Sequence, residues 1–207
     1  MEQVYFIRHG NADYINEELT PIGEEQVEKL SQKLGDLLPD NLDCVLVASE
    51  SGRAIETARM LKPMLKKKSG RELQIQEEPL IYQTRSMPGT ALDKLLQYGK
   101  ENIALLEKYK SAEYGFFIAH KEIIAATSLA IAEHKGIEIP NFLQLNDHIE
   151  EATVDKFMKI GDFSSREEAR KKAREYYPFS PTLPRIFEAS GIHFDFPKNQ
   201  INYLVYF

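Results

Sequence analysis

Four short apolar runs along the chain predict buried β-strands, from Gln3 to Ile7, from Asp43 to Ala48, from Leu73 to Ile81 and from Tyr114 to Ala119. The runs are rich in β-branched and aromatic residues, and such near-continuous hydrophobicity is typical of strands covered on both faces. A further run from Ile201 to Phe207 alternates between apolar and polar residues. This alternation predicts a terminal strand, at a sheet edge or in antiparallel pairing.

Apolar residues with helical spacing separate these runs. Thr20 followed by Pro21 predicts a helix start, with Thr20 as the N-cap and Pro21 at the first helical position. The stripe that should face the core of this helix has a period near 3.6 residues and consists of Val27, Leu30, Leu34 and Leu37 or Leu38. Further helices are predicted from Ser51 to about Lys67, from Thr90 to about Lys110 and from Ile123 to Glu133.

The alternation of strands and helices predicts an α/β fold. Its core would be a doubly wound, predominantly parallel sheet with helices on both faces. Such sheets bind their ligands where the strands deliver their carboxyl ends. We therefore expect functional side chains directly after strands.

The stretch over about 136–199 lacks this alternation. Ser165-x-x-Glu168 resembles a capping box and predicts a helix to about Tyr176, and the three prolines that follow it prevent a longer helix. The remainder is predicted to be irregular. We predict one domain over 1–207 with a partly helical insertion, or cap, over 136–199 before the C-terminal strand.

Composition and charge limit the class of protein. Hydrophobic residues make up 43% and charged residues 28% of the chain, as in ordinary globular domains. The net charge of −6 provides no global basic field, so we expect neither nucleic acid nor a membrane as a partner. The chain has no apolar stretch of transmembrane length and no leader pattern at its first residues. We expect a cytoplasmic protein, and the sequence does not determine its oligomeric state.

Imidazole and guanidinium groups follow three of the predicted strands. Arg8 and His9 follow the first strand, Arg53 opens the helix after the second, and His120 follows the strand that ends at Ala119. A neutral imidazole can attack phosphorus while a backbone carbonyl holds its other nitrogen. Arginine forks neutralise and orient phosphoryl oxygens, and a helix N-terminus favours anions. The pattern indicates phosphoryl chemistry, and no metal-ligand spacing, phosphate-binding glycine loop or nucleophilic serine motif competes with it.

The motifs around these residues resemble those of the histidine phosphatase superfamily, also called the phosphoglycerate mutase-like family. The matching elements are Arg8-His9-Gly10, Leu19-Thr20-Pro21-x-Gly23-x-x-Gln26, the segment from Ser49 to Ala58 with Arg53, and His120 after an apolar strand. The resemblance implies that His9 is a nucleophile that is transiently phosphorylated. It implies that Arg8, Arg53 and His120 bind and stabilise the transferring phosphoryl group. It also implies that no metal or organic cofactor takes part.

The chain departs from the family at the position of the proton donor. Members that act on sugar phosphates usually carry a glutamate two residues after a leucine, shortly beyond the third strand. Two residues after Leu80 this chain has Tyr82. A poor leaving group needs a proton from a general acid. Tyr82, Glu78 or a carboxylate of the insertion (Asp147 or Glu150) could supply it, and the sequence does not choose among them.

A second departure concerns the branch of the family. Gly10-Asn11-Ala12-Asp13 is closer to small bacterial phosphatases that act on protein phosphohistidine than to the mutases. The expected function is a phosphatase that hydrolyses phosphomonoesters or phosphohistidine through a covalent phosphohistidine, so its partner is a small phosphorylated substrate or a phosphohistidine protein. The alternatives are a phosphoglycerate-mutase-type phosphoryl transferase and a catalytically weak protein that binds phospho-ligands.

Overall fold

The computed structural model describes residues 1–13, 15–81, 92–138, 165–176 and 188–204, together with positions 154, 158 and 163. The strands are β1 (Gln3–Arg8), β2 (Ala12–Asp13), β3 (Glu18–Leu19), β4 (Cys44–Ala48), β5 (Ile75–Glu77), β6 (Tyr114–Ala119), β7 (Gly191–Asp195) and β8 (Gln200–Leu204). The helices are α1 (Pro21–Leu37), α2 (Gly52–Ser69), α3 (Leu92–Lys108), α4 (Lys121–Lys135) and α5 (Arg166–Tyr176), with a 3₁₀ turn at Pro79–Ile81.

Six strands form the main sheet in the order β5-β4-β6-β1-β7-β8. The first four are parallel, whereas β7 is antiparallel to both β1 and β8. Arg8 pairs with Ala119, and Ala48 pairs with Ile118, so β1, β4 and β6 end at the same level. The prediction of a doubly wound, mainly parallel α/β sheet is confirmed, and three carboxyl ends meet at one edge.

Alternate residues of the central strands pack toward two sets of helices. Tyr5 and Ile7 share a core cluster with the buried leucines of α1 and α2. Phe6 points the other way and stacks on Phe117 at a ring-centroid distance of 5.0 Å. The ring of Tyr109, which follows α3, contacts Phe117 as well, and α3 packs against α4. Each fully buried side chain of this size stabilises the fold by about 1.5–3 kcal/mol.

The start of α1 is as predicted. The hydroxyl of the N-cap Thr20 accepts a hydrogen bond from the Gly23 amide at 3.1 Å, and Pro21 is the first helical residue. At the other end of α1, the sequence left open whether Leu37 or Leu38 faces the core. Leu38 does, since it is 3% exposed whereas Leu37 is 68% exposed. The helix ends at Leu37, and the extended backbone of Leu38 returns its side chain to the core.

The other predicted helices are also present, with shifted ends. Ser51 is the N-cap of α2, and Gly70 closes that helix in the left-handed conformation, with φ 67°. Lys121, two residues earlier than predicted, begins α4. At the start of α5, the Ser165 hydroxyl accepts a hydrogen bond from the Glu168 amide at 3.2 Å, as the first half of the predicted capping box requires.

The third predicted strand is shorter than expected. Only Ile75–Glu77 pairs with β4, and the chain then forms the 3₁₀ turn at Pro79–Ile81. Proline has no amide hydrogen and cannot donate to the ladder of a sheet, so the strand stops before Pro79.

The prediction of irregular structure up to residue 199 is wrong at Gly191–Asp195. These residues form β7, which pairs with β1 in the interior of the sheet. The sequence Gly-Ile-His-Phe-Asp is short and carries glycine and two polar residues, so its pattern is weak. A side chain at Gly191 would overlap the carbonyl of Phe6, and this close approach of two backbones explains the glycine. The terminal strand is confirmed as the antiparallel edge strand β8 over its described residues.

Two compact units make up the chain. One comprises Met1–Glu138 and Ile186–Phe207 and contains the six-stranded sheet. The other comprises Ile139–Arg185 and contains α5, where Phe163 packs against the buried Val154 and Ala169. That the second unit is an insertion within one domain stays a prediction. Within the described ranges, no helix is long and apolar enough to cross a membrane.

Candidate active site

Three of the residues predicted for the site lie side by side at the common end of β1, β4 and β6. The Nε atom of Arg53 lies 3.2 Å from Nε2 of His9. The rings of His9 and His120 have centroids 5.1 Å apart. All three side chains are buried, although they are far apart in sequence. Arg8, adjacent to His9, is also buried, and its charge acts on both imidazoles.

The motif residues around Gly10 explain how the chain reaches this arrangement. The Gly10 amide donates to the Thr57 hydroxyl of α2 at 3.1 Å, and the Asn11 amide donates to the Gln26 side chain of α1 at 2.9 Å. A Cβ atom on Gly10 would lie 2.7 Å from the carbonyl oxygen of Gly23, so only glycine allows the loop to lie against α1. The spacing between Gly10, Asn11 and Gln26 is thus the spacing that holds the loop after β1.

Two contacts determine which nitrogen of His9 carries the proton. Nδ1 lies 2.7 Å from the carbonyl oxygen of Gly10, which can only accept a hydrogen bond. Nδ1 is therefore protonated and donates to it. Nε2 then holds the lone pair and accepts the hydrogen bond from Arg53 Nε. This is the tautomer that a nucleophilic imidazole requires.

Burial keeps His9 neutral. Desolvation, followed by the charge of Arg8 and by His120, holds the pKa of His9 well below its usual 6.5. The hydrogen bond to Gly10 acts in the opposite direction, and Arg53 lowers the pKa further. Because a protonated imidazole cannot attack phosphorus, the low pKa keeps the lone pair of Nε2 available near neutral pH.

His120 occupies the N-cap position of α4. Its Nε2 atom lies 2.9 Å from the Ser49 hydroxyl and 3.3 Å from the Ser51 hydroxyl. Desolvation, then Arg53 and Arg8, lower the pKa of His120 from 6.5 to about 3. An anion placed among these groups would raise the pKa of both imidazoles, since a nearby opposite charge favours the protonated form.

Each guanidinium at the site is paired with a carboxylate. Nη2 of Arg8 lies 2.8 Å from Oε1 of Glu188, and the two side chains are 7% and 8% exposed. Nη1 of Arg53 lies 3.3 Å from Oε1 of Glu17, whose side chain is 43% exposed. The second oxygen of Glu17 accepts a hydrogen bond from the Gly52 amide at 3.2 Å. One anionic partner is thus buried and the other is half-exposed.

Sequence reasoning missed both of these carboxylates. Glu188 lies in the stretch predicted to be irregular, where the Ser190 carbonyl accepts from the Arg8 amide at 2.8 Å and the Ala189 amide donates to the His9 carbonyl at 3.1 Å. No local pattern marks this segment as a neighbour of β1. Glu17 is followed by Glu18, and the sequence does not indicate which of these two glutamates contacts Arg53.

The predicted proton donors are only partly described. Glu78 is buried just after β5, and its Oε2 atom accepts a hydrogen bond from Nζ of Lys108 at 2.6 Å. This contact is the main cause of the raised pKa of Lys108. Tyr82, Asp147 and Glu150 lie outside the described residues.

Two further features of the described residues bear on the site. Lys121, which directly follows His120, has its ammonium 3.2 Å from the carboxylate of Glu122. No group of three histidine, cysteine, aspartate or glutamate side chains within the described ranges is arranged to hold a metal ion.

A family comparison agrees with the site motifs. The family model of the histidine phosphatase superfamily, branch 1, matches residues 4–79. Residues 4–79 are thus similar in sequence to this superfamily. The resemblance inferred from the motifs is confirmed, and the matched range includes Arg8, His9 and Arg53 but ends before His120. None of the curated proteins matches the chain in sequence.

Several solved structures share the fold of this chain. A mycobacterial glucosyl-3-phosphoglycerate phosphatase has a TM-score of 0.54 and 16% identity, over 100% of this chain and 98% of its own. An Agrobacterium tumefaciens protein assigned as a phosphohistidine phosphatase has a TM-score of 0.52 and 13% identity, over 100% and 97%. An Escherichia coli protein assigned as an α-ribazole-5′-P phosphatase has a TM-score of 0.51 and 18% identity, over 99% and 95%. At these identities the likeness shows the fold.

Proposed function

We propose that the protein is a histidine phosphatase that hydrolyses phosphomonoesters or phosphohistidine through a phosphoryl group carried on His9. The observation that carries the proposal is the geometry of His9: the Gly10 carbonyl fixes the proton on Nδ1, and Nε2 presents its lone pair to Arg53. Strongly shifted imidazoles that share a buried site with guanidinium groups are typical of catalytic centres.

In the first step, Nε2 of His9 attacks phosphorus, and the bond from phosphorus to the leaving group breaks. The phosphoryl group takes the place where Arg53 Nε now meets Nε2, and that N–H donates to a phosphoryl oxygen instead. Arg8, Arg53 and His120 stabilise the negative charge on the equatorial oxygens, which is the main requirement of phosphoryl transfer. The incoming dianion raises the pKa of His120 and so favours the protonated form of this imidazole, which donates to the phosphoryl oxygens.

In the second step, water attacks the phosphohistidine. The bond between phosphorus and Nε2 breaks, and the electron pair returns to His9. Inorganic phosphate leaves with the oxygen of the water, whose protons go to the phosphate and to solvent. The hydrogen bond from Nδ1 to Gly10 persists through both steps, so His9 returns in its original tautomer.

The leaving group decides whether a proton donor is needed. Phosphohistidine has a labile bond, whereas an alkoxide is a poor leaving group and needs a general acid. Glu78 and Tyr82 are the candidates. If either residue is the acid, Glu78→Gln or Tyr82→Phe lowers the rate with an alkyl phosphate far more than with p-nitrophenyl phosphate. An equal loss with both substrates excludes that residue as the donor.

The test of the proposed function is to trap the phosphoryl group. We expect wild-type protein mixed with p-nitrophenyl phosphate that is labelled at phosphorus to carry an acid-labile, labelled phosphoryl group. It should also release labelled inorganic phosphate. His9→Ala should lose both the label and the turnover. The exposed His134, at the end of α4, provides a matched control, and His134→Ala should retain both.

The alternatives appear as other outcomes of the same test. Isomerisation of phosphoglycerate with little release of phosphate would assign the protein to the mutases. Binding of phosphate without turnover would make it a phospho-ligand sensor. Equal hydrolysis of aryl, sugar and histidine phosphates by wild type and His9→Ala would exclude His9 as the nucleophile.

A further inference from the structure

The carboxylate of Glu17 binds two groups of the site that are able to hold a phosphoryl oxygen. One oxygen lies 3.3 Å from Nη1 of the buried Arg53, and the other accepts the amide hydrogen of Gly52 at 3.2 Å. Gly52 is the first residue of α2, where free amides and the helix dipole attract anions. A carboxylate can therefore satisfy this guanidinium and this helix terminus in the same way as phosphate does.

The loop between β2 and β3 holds Glu17 at this position. The Leu19 amide donates to the Glu56 carboxylate of α2 at 2.6 Å and ties the loop to that helix. A Cβ atom on Gly52 would lie 2.6 Å from the carbonyl oxygen of Glu17, so the two backbones are in close contact. Glu17 also has a positive φ of 57°, an uncommon conformation for a residue other than glycine.

The two ends of this ion pair differ in their access to water. The side chain of Arg53 is 4% exposed, whereas that of Glu17 is 43% exposed. Glu17 can turn its carboxylate into solvent, where water replaces its lost partners. Arg53 stays buried with its charge, so an anion that takes the place of Glu17 beside it is stabilised. An arriving phosphate is such an anion.

We propose that Glu17 is an internal anion that exchanges with the phosphoryl group of the substrate at Arg53 and Gly52. The inference rests on the proposed function in taking Arg53 as a ligand of phosphate. It adds that the affinity of the site for phosphate is set by competition with this carboxylate. The same competition expels the inorganic phosphate that each turnover produces.

The charge of Glu17 can be removed at nearly constant size by Glu17→Gln. An amide competes poorly for a guanidinium and does not repel phosphate. We expect inorganic phosphate to bind this variant roughly three- to tenfold more tightly than wild type. Glu18→Gln makes the same charge change at the neighbouring exposed residue and should leave the affinity within about twofold of wild type.

The experiment is calorimetric titration of the full chain with inorganic phosphate, together with steady-state inhibition of p-nitrophenyl phosphate hydrolysis by the same ion. Tighter binding and stronger inhibition in Glu17→Gln than in Glu18→Gln support the proposal. Glu17→Asp, whose shorter side chain retains the charge but shifts the carboxylate away from Arg53, should bind phosphate more tightly than wild type as well. It provides a second test if the glutamine variant folds poorly.

Unchanged or weaker phosphate binding in Glu17→Gln overturns the proposal. Weaker binding with a lower kcat would instead make Glu17 a positioning residue that aims Arg53. If wild type turns over substrate through His9 but Glu17→Gln has unchanged affinity, only this inference fails. If wild type and all variants neither bind phosphate nor turn over substrate, the proposed function fails and this inference fails with it.

Discussion

The two arginine–glutamate pairs of the site have the same chemistry and opposite surroundings. Arg8 and Glu188 are both buried, and the segment that carries Glu188 hydrogen-bonds to the backbone of β1. Arg53 is equally buried, but Glu17 reaches it from a half-exposed loop. Removing one partner of a buried pair leaves an uncompensated charge, whereas an exposed partner is readily replaced by water. We infer that the ion pair between Arg8 and Glu188 stays formed in the folded protein, whereas the ion pair between Arg53 and Glu17 can break.

The largest expected effect is on stability, at the buried pair. Glu188→Ala removes the carboxylate that pairs with the buried guanidinium of Arg8, and we expect a loss of about 3–5 kcal/mol in the free energy of unfolding. Urea denaturation followed by circular dichroism measures this loss. Glu72→Gln, at an exposed carboxylate that contacts Lys62 and Lys66, provides a control that should leave the midpoint unchanged. A stability loss below 1 kcal/mol in Glu188→Ala would mean that the two pairs do not differ as proposed.

The next effect is on catalysis, at Arg53. Arg53→Ala should lower kcat by about 10²–10³ because one preorganised donor to the phosphoryl group is lost. Its stability should fall less than that of Arg8→Ala, since Glu17 is left in water whereas Glu188 is left buried. Steady-state kinetics and urea denaturation of both variants test this order. Equal stability losses would remove the distinction between the pairs.

The pH dependence of the free energy of unfolding involves His120, whose pKa the arginines of both pairs lower. Burial, followed by the charges of Arg53 and Arg8, lowers the pKa of His120 to about 3, so the unfolded chain binds a proton below pH 6.5 that the folded chain does not. The free energy of unfolding should therefore fall as the pH drops from 6.5 toward 3, by up to about 1.4 kcal/mol per pH unit for this residue.

Denaturant titrations at several pH values test this slope. His120→Gln should reduce the slope, whereas His134→Gln, at an exposed residue of α4, should not. Since Arg53 lowers the pKa of His120 more than Arg8 does, Arg53→Ala should raise that pKa more than Arg8→Ala, as measured by NMR titration. The reverse order would contradict the charge arrangement described for the site.

The smallest expected effect is the stability change at the half-exposed pair. Glu17→Gln should change the free energy of unfolding by no more than about 1 kcal/mol, because the carboxylate is already partly hydrated. The same denaturation assay checks it. A loss of unfolding free energy as large as that of Glu188→Ala would show that the ion pair between Glu17 and Arg53 stays formed in the folded protein.

Local physics made much of the fold predictable from the sequence. The cap at Thr20, the helical stripe of α1 and the apolar runs of β1 and β6 depend on side chains close together in the chain, and each was found as predicted. The end of β5 was misjudged because Pro79 stops pairing within an otherwise apolar run. The strand β7 was missed because its stability comes from its neighbours β1 and β8 and not from its own pattern.

The class of sheet and the chemical types at its carboxyl edge follow from the sequence, because strand patterns and the motif around His9 are local properties. Contacts formed in the folded chain establish which nitrogen of His9 carries the proton, and which carboxylate accompanies each arginine. Those choices depend on contacts between residues as distant as Arg8 and Glu188, and no local pattern encodes them. The difference between a buried and a half-exposed partner arises from packing, and this difference underlies the exchange proposed for Glu17.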